Sequence, residues 1–542
     1  MKLVKLLLLL FLIPATVFGG VNLKNGNFYI SYTDIIVPGG GHDLEVVRTY
    51  NSKSTEKGWF GFGWGSDYET FLTVSADGSV IVHENGSGAN TRFVPKEAVD
   101  PVSAAQRIIE AMRKRTSVTE QVAKSLKVKL TNDAELRQAY ARKFSVKAQI
   151  ANGTVLYSNT RGLQQVHKVK DGFKRVYNDG KVQFFNKDGK LAQIKDKHGY
   201  TISFEYKNGN LLKIKDSQAK QLFFDWFQNG RIKSISSTAN KKTAYKFEGD
   251  DLVESKDVAG NIFKYSYDAN HNMKAISYSD DSKMEVEYTP RTQFVESVKS
   301  RSGDLTSYKY DSNPKNPDFH YWTVVTKKSP NGKSVSNRYE YEIKARPDGS
   351  QYTYRILTQI NDLKTETIYS ECCSLPLKIT RGNHVTSFEY NSKGLLTKKT
   401  STKGDYIELS YHKKFNKITK VVNKKGWTNF KYDEKSGNLA KAENSFGKSV
   451  LLIYDRKGRI TKMHDYDKNT KKKRSLSFVY NAQGKPVEIK MDSIGKINVQ
   501  YDNYGEIKKV ESKAGHKMAL QVTQAFQSLL AIVKPAGVNL NL

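Results

Sequence analysis

Through most of the chain, apolar residues occupy every second position in short runs, and each run ends on an aromatic residue. Ile202-Phe204-Tyr206, Phe263-Tyr265-Tyr267, Met284-Val286-Tyr288, Ile407-Leu409-Tyr411, Val450-Leu452-Tyr454, Leu476-Phe478-Tyr480 and Ile497-Val499-Tyr501 share this form. A period of two puts these side chains on one face of a β-strand and the intervening polar residues on the other. A polar turn closing on glycine follows the aromatic, as in Tyr454-Asp455-Arg456-Lys457-Gly458 and Tyr501-Asp502-Asn503-Tyr504-Gly505. Asp or Asn bonds its own backbone at the start of such a turn, and Gly supplies the positive φ that closes it. An outgoing strand comes next. A second glycine, at Gly199, Gly260, Gly404, Gly426, Gly447 and Gly495, makes the return turn.

The unit repeats. Tyr390, Tyr411, Tyr432, Tyr454, Tyr480 and Tyr501 are spaced 21, 21, 22, 26 and 21 residues apart, the long step containing Lys471-Lys472-Lys473-Arg474. Phe185, Tyr206, Phe224, Phe247, Tyr267, Tyr288 and Tyr310 are spaced 21, 18, 23, 20, 21 and 22 apart. One hairpin of this size cannot bury its apolar face alone, so neighbours must stack into a continuous antiparallel sheet, and strand twist makes a long sheet curl.

Composition agrees with many short, half-buried strands. Across 542 residues, 38% are hydrophobic and mean hydropathy is −0.61, yet 31 Tyr and 25 Phe exclude a disordered chain. Only 12 Pro interrupt the strands. The net charge of +33 has two readings. Lysine on solvent-facing strand and turn positions keeps sheet edges unattractive; alternatively it draws an anionic envelope polysaccharide, lipid head group or nucleic acid. Nucleic acid is the less favoured of these partners, because the amino-terminal segment reads as an export signal and no nucleic-acid-binding module is recognisable. Lys2 and Lys5 precede the apolar run Leu6 to Ile13, and Val17-Phe18-Gly19 offers cleavage after Gly19. The run is too short to span a bilayer. The expected location is therefore extracellular or periplasmic, with the chain held at the cell surface as a variant of that reading and no membrane-spanning segment in the mature protein.

The Tyr-Asp-x-x-Gly-x-[Leu/Ile] unit resembles the YD repeat of RHS proteins, of Tc-toxin shells and of teneurins. Tyr454-Asp455…Gly458-Arg459-Ile460 and Tyr501-Asp502…Gly505-Glu506-Ile507 match it most fully; Tyr432-Asp433…Gly437-Asn438-Leu439 carries one extra residue, and Tyr267-Asp268 lacks the turn glycine. Val21-Asn22-Leu23, Asn25-Gly26-Asn27-Phe28, Arg48-Thr49-Tyr50-Asn51 and Phe60-Gly61-Phe62-Gly63-Trp64 read like the domain that opens bacterial RHS proteins. The resemblance implies a mainly β fold in which a hairpin strip spirals into a cocoon-like wall. The expected segments are a signal peptide (1–19), an N-terminal RHS-associated β domain (20–95), a helical insertion (96–150), YD-like repeats (151–310), an irregular β-hairpin region (311–384), YD repeats (385–515) and a C-terminal helix and tail (516–542). Tyr206, Tyr267, Tyr288, Tyr390, Tyr411, Tyr432, Tyr454, Tyr480 and Tyr501 are expected as core aromatics of the repeats.

Two segments depart from the strand pattern. Asp100-Pro101 reads as a helix start, with Val102, Ala105, Ile108, Ile109 and Met112 on one face. Ser117-x-x-Glu120 and Asn132-x-x-Glu135 read as capping boxes for two further helices, one carrying Val118, Val122 and Leu126, the other Leu136, Tyr140 and Phe144. At the other end Met518, Val522, Phe526, Leu529, Leu530 and Val533 form an amphipathic stripe before Pro535. Both segments are expected to cover the sheet's ends, as plugs or as docking faces.

Chemistry is sparse. The ten His are scattered, and no zincin, nucleophile-elbow, P-loop or Rossmann pattern is present. No catalytic residue, cofactor or metal site is assigned. Cys372-Cys373 is a candidate vicinal disulfide, allowed after export; the alternative is two small buried thiols. Trp59, Trp64, Trp226, Trp322 and Trp427 are candidates for stacking on sugars. Larger RHS shells carry a Pro…Asp-Pro-x-Gly block before a released toxin, whereas the one Asp-Pro here is Asp100-Pro101 in the helical insertion. The expected function is a non-enzymatic, secreted scaffold for envelope or cell–cell contact through a protein or anionic polysaccharide partner. The alternatives are a shell that encapsulates a polypeptide for toxin or effector delivery and, third, a glycan-active enzyme.

Overall fold

The computed structural model describes residues 18–38, 43–86, 88–96, 100–158, 164–196, 199–238, 241–482, 484–491, 494–501 and 507–533. Strands dominate. β1 (Phe18–Asn22), β2 (Asn27–Val37), β3 (Leu44–Asn51) and β6 (Trp64–Ser66) form a four-stranded antiparallel sheet in that order, and β4 (Lys57–Gly58) pairs with β5 (Gly61–Phe62) in a short separate ladder. From β7 (Phe71–Val74) onward strands pair with their neighbours in the chain, within two sheets. β7 to β18 (Ile232–Ser237) make a 12-stranded sheet, and β19 (Ala244–Glu248) to β42 (Ile507–Glu511) make a 24-stranded one. A bridge between Ser236 and Lys242 leads from one to the other. The result is one antiparallel strip whose order does not close on itself.

The strip winds as a spiral, so distant segments meet along its seam. The amide of Leu72, on the first strand, donates to the Gly189 carbonyl at 2.8 Å. A Cβ on Gly189 would sit 2.0 Å from the Leu72 carbonyl oxygen, so this close approach requires glycine. Farther along, Arg92 on β9 (Ala89–Pro95) reaches Asp348 at 2.5 Å.

The hairpins of nine repeat tyrosines carry a β-bulge at the tyrosine, and in the Phe224 hairpin the bulge falls at Trp226 instead. The register slips between Glu205 and Tyr206, Ser266 and Tyr267, Glu287 and Tyr288, and again immediately before Tyr390, Tyr411, Tyr432, Tyr454, Tyr480 and Tyr501. A bulge bends the strand and interrupts the ladder. The residue across from a bulged tyrosine or phenylalanine offers its carbonyl to the tyrosine of the next repeat, except that Leu211 accepts from Trp226 Nε1 at 2.7 Å and that Val295, across from Tyr288, has no tyrosine bonded to it among the described residues. Tyr411 Oη donates to Leu396 O at 2.6 Å, Tyr432 to Ile418 O at 2.7 Å, Tyr454 to Leu439 O at 2.9 Å and Tyr480 to Ile460 O at 2.7 Å. Tyr206, Tyr267, Tyr288, Tyr390 and Tyr501 bond Leu191, Leu252, Met273, Pro376 and Pro486 likewise. Burial pushes the Tyr411 and Tyr454 phenols up to about 12, so they remain donors. Some of the excess lysine and arginine serves the same stacking. Lys190, Arg459 and Lys485, each just after a turn glycine, lie 5.5, 4.7 and 5.2 Å from the ring centroids of Tyr206, Tyr480 and Tyr501 in the following repeat.

Two core clusters lie on one face of the strip, here called the inner face, and a third forms within the helical insertion around Ala105, Ile108 and Leu130. The first joins the N-terminal sheet to the early strands, with Phe28, Ile30, Tyr32, Leu44 and Trp64 packed against Phe224, Tyr245, Tyr265 and Ile276. The N-terminal sheet therefore fills the concavity of the early strip. Arg48 locks it there. A bulge between Thr33 and Ile35 on β2 presents Asp34 to Arg48, whose Nε lies 2.7 Å from Asp34 Oδ2 with both side chains buried. Arg48 also donates to Ser255 Oγ and Tyr265 Oη at 2.6 and 2.7 Å, and its guanidinium lies 4.4 Å from the Trp64 ring centroid. Tyr245 donates to Asp34 at 2.8 Å.

The second cluster gathers Leu409, Val421, Phe430, Val450, Leu452, Met463, Leu476 and Phe478 beneath the C-terminal helix Gly515–Val533. Met518, Ala525 and Ile532 are its buried residues, with Val522 and Leu529 partly buried beside them. The expected stripe shifts accordingly: Phe526 is 37% exposed and touches Phe478 from the margin. Leu530 and Val533 side chains and Pro535 lie outside the described residues.

The helical insertion consists of α1 (Pro101–Arg113), α2 (Glu120–Asn132) and α3 (Ala134–Lys143), looped out between β9 and β10 (Val155–Ser158), which still pair with each other. Asp100 caps α1 as expected, but the next two caps are Thr119 and Asp133, each one or two residues from the positions read in the sequence. Ser117 and Asn132 therefore do not cap. The buried faces differ too. Val102 and Val122 are 50% and 55% exposed, and Ala104, Ala123 and Leu130 are buried in their place. Arg137 on α3 donates to the Asp348 carbonyl at 3.1 Å, so the insertion braces the seam.

Candidate functional site

Between the two core clusters of the inner face, that face is only half-buried over several strands. This stretch holds the strip's long strands: β26 (His320–Lys328), β27 (Ser334–Ala345), β28 (Gln351–Ile360) and β29 (Leu363–Tyr369). The segment expected as irregular is thus a regular sheet, broken by single bulges. Pairing places Tyr321, Tyr341, Ile356 and Thr367 in one row across the four strands, and Thr323, Tyr339, Thr358 and Thr365 in the adjacent row. The Tyr321 and Tyr341 rings stack with centroids 5.7 Å apart. Burial raises both phenols, Tyr341 to about 12. Tyr310 departs from the repeat rule. Its strand, β25 (Leu305–Ser312), pairs with β26 in unbroken register, and its hydroxyl has no partner among the described residues. The surface is a half-buried, hydroxyl-rich aromatic floor, bounded on one side by the N-terminal sheet through Thr323 Oγ1, which donates to Leu23 O at 2.6 Å.

The outer face of the same strands carries a network of charge. His320 Nε2 lies 2.9 Å from Glu340, Arg338 3.0 Å from Glu340, and Arg355 2.5 Å from Glu342 and 2.6 Å from Glu366. Burial works against the Glu340 carboxylate, but His320 and Arg338 hold it below its ordinary value. The ligand atoms of His320, Glu340 and Glu342 lie within 4.8 Å of one another, close enough for a metal ion. Arg338 and Arg355 already supply positive charge to those carboxylates, so the donor set fits an ion-pair network better than a metal centre. Beside it a groove of about 670 Å³ opens over Glu285, Glu287, Lys299 and Lys309.

The residues singled out in the sequence disperse. Cys372 and Cys373 are bonded to each other in the turn before β30 (Pro376–Arg381), and Cys373 Sγ lies 4.0 Å from the Ser158 carbonyl oxygen across the seam. Trp64 is core; Trp59 and Trp226 meet edge to face at 5.7 Å in the first cluster. Trp322 lies under Arg338, 4.1 Å from ring centroid to guanidinium, and Trp427 is 39% exposed on the outer face. Gly19, the expected cleavage position, is paired with Ile30 in β1, while residues 1–17 lie outside the described residues. Among the described residues no helix is long and apolar enough to cross a membrane.

Residues 19–93, the segment that fills the early strip, match a family described as a domain of unknown function, DUF6531. The tRNA(Glu)-specific nuclease WapA of Bacillus subtilis subsp. natto is 28% identical over 265 residues, 48% of this chain and 10% of that protein. With the bulged tyrosine ladder, this decides the family. The chain is an RHS/YD-type protein. The tRNA3(Ser)-specific nuclease WapA of Bacillus spizizenii is 33% identical to the RHS/YD-type chain over 78 residues, 14% of this chain and 3% of that protein. The chain therefore spans a tenth or less of these curated relatives. Among solved structures, the crystal structure of TcdB2-TccC3 is similar over 89% of this chain and 30% of that one, at 10% identity and a TM-score of 0.37. A Tc holotoxin pore of Photorhabdus luminescens aligns over 89% of this chain and 29% of that one, at 10% identity and a TM-score of 0.36.

Proposed function

We propose that the protein is an exported, non-enzymatic β-wall that serves as a rigid scaffold for contact with an anionic polymer of the cell envelope or with a protein on a neighbouring cell. The observation that carries this reading is the lysine-rich outer face of the later repeats, on a chain of net charge +33. Lys398, Lys420, Lys441 and Lys462 occupy equivalent outer positions in successive hairpins, a lysine ladder with the repeat's own spacing in which Lys398 and Lys441 also pair with Glu408 and Glu443. Such a ladder matches a polyanion of regular charge spacing, and Trp427 beside it adds a face for stacking on a sugar ring. The tRNA cleavage in the relatives' names is not part of this proposal. The test is sedimentation of purified residues 20–542 with envelope fractions and with an anionic polysaccharide, across ionic strengths. Adhesion that falls steeply with salt is expected; salt-insensitive adhesion, or none, overturns the reading.

A second reading rests on a different observation. The Tyr321–Tyr341 floor is the one long stretch of inner face that neither the N-terminal sheet nor the C-terminal helix covers among the described residues. An enclosed polypeptide would find there stacked rings and threonine hydroxyls. This shell reading predicts a protease-protected polypeptide that appears in the purified protein only on denaturation.

A further inference from the structure

The inference concerns the free edge of the strip and stands on the fold alone, whichever function above holds. β42 is the last strand, and its outer edge has no neighbour among the described residues. The first strand of the strip differs. Its edge is engaged by the chain's own spiral through the Phe71–Lys190 bridge and the Leu72–Gly189 hydrogen bond. After β42 the chain turns away at Gly515 and lays its helix on the inner face, against β37 (Lys448–Tyr454) and β36 (Leu439–Asn444).

Comparison with the preceding hairpins shows what the edge lacks. Val510 pairs with Val499 just as Val421, Ala442 and Met463 pair with Leu409, Phe430 and Leu452. Those three are 0%, 1% and 1% exposed, whereas Val510 is 57% exposed. Ile507 stands opposite bulged Tyr501 as Leu439 stands opposite Tyr432, and the two are 52% and 7% exposed. In the five repeats from Tyr390 to Tyr480 the residue at the Ile507 place gives its carbonyl to the next tyrosine. Lys509 occupies the outer position of Lys398, which pairs with Glu408 on the following strand at 3.2 Å; Lys509 instead pairs with Glu511 on its own strand at 2.6 Å, an exposed pair that a carboxylate on an added strand would join.

We propose that β42 is an acceptor for one more repeat strand, supplied by a second polypeptide of the pattern apolar–Glu–apolar–x–Tyr. Its two apolar residues would cover Val510 and the inner face, its Glu would meet Lys509, and its tyrosine hydroxyl would bond the Ile507 carbonyl. Main-chain pairing supplies affinity and the alternate side chains supply register. Full-overlap antiparallel pairing of β42 with a second copy of itself is disfavoured, because Lys509 would face the same lysine of the copy.

The chain contains its own probe. A labelled synthetic peptide of residues 403–413, which includes Tyr406-Ile407-Glu408-Leu409-Ser410-Tyr411, is titrated with the purified protein and followed by fluorescence anisotropy. Saturable binding is expected. Val510→Asp should abolish it, and Lys509→Glu should weaken it about fivefold, with recovery when the peptide carries Glu408→Lys. A Tyr411→Phe peptide should also bind less tightly. Both protein substitutions are at exposed positions, and unchanged circular dichroism confirms folding. The proposal is overturned by absence of saturable binding, by binding indifferent to Val510→Asp and to the charge swap, or by a dimer of the protein that Val510→Asp dissolves.

Discussion

The hydroxyl of Tyr454 donates to the carbonyl oxygen of Leu439 at 2.9 Å, joining two hairpins through a side chain where the bulge has interrupted the backbone ladder. The same bond recurs at the other bulged repeat tyrosines, whereas Phe185 and Phe247, bulged at the same place in their hairpins, have no hydroxyl to make it. Tyr454→Phe keeps the ring and removes the bond, leaving a partly buried carbonyl unpaired. A loss of about 1 kcal/mol is expected, read as a lower urea midpoint. Tyr454→Ala also removes the packing and should cost about 3–5 kcal/mol, as removal of a large core aromatic does.

Arg48 is fully buried with Asp34, and breaking the pair strands a charge. Arg48→Met leaves the Asp34 carboxylate with Tyr245 alone and should destabilise the chain by about 3–5 kcal/mol. Limited proteolysis should then cut the N-terminal sheet before the repeats. The double replacement Arg48→Met with Asp34→Asn should recover part of the loss, which separates a stranded charge from lost packing.

Glu69 gives stability a pH dependence. Its carboxyl is buried, accepts from the Trp59 amide at 2.6 Å, and is pushed up to about 8 by burial. The folded form holds a proton that the unfolded chain releases near the ordinary glutamate value. The resulting stabilisation is therefore full below that value and is lost as pH rises through about 8. Melting between pH 5 and 9 should show this decline in the wild type, and Glu69→Gln should flatten it.

The Cys372–Cys373 bond should make both thiols inaccessible to iodoacetamide until a dithiol reductant is added. Intact-mass measurement should then show two alkylations, and none without reductant. A Cys372→Ser variant is expected to fold, because the turn lies on the seam rather than in either inner-face core cluster.

What could be read from the sequence was local. The alternation Val450-Leu452-Tyr454 and the glycine turns specify strands, faces and hairpins, because period two and positive φ are written in residue types. The bulge before each tyrosine was not legible, since a one-residue slip leaves no mark on an alternating pattern that ends there. Helix starts missed by one or two positions: Thr119 and Asp133 compete with Ser117 and Asn132, and which side chain caps depends on how the helix docks. The function of the N-terminal sheet was hidden for another reason. Arg48 finds Ser255 and Tyr265 at separations of 207 and 217 residues, beyond any local pattern. The Tyr321–Tyr341 floor was equally invisible, being defined by what does not cover it.

That long reach of Arg48 has a consequence for the order of assembly. A polypeptide that emerges amino end first presents Tyr32, Arg48 and Trp64 more than 200 residues before their partners exist. The opening segment must wait, half-finished, until Tyr265 is synthesised, and only then can its charged centre leave water. Contacts this distant in sequence are slow to form and leave apolar surface open to misassociation meanwhile. Maturation of the wall should accordingly be governed by the arrival of the strands around Tyr245 and Tyr265, rather than by the quick local closure of each hairpin.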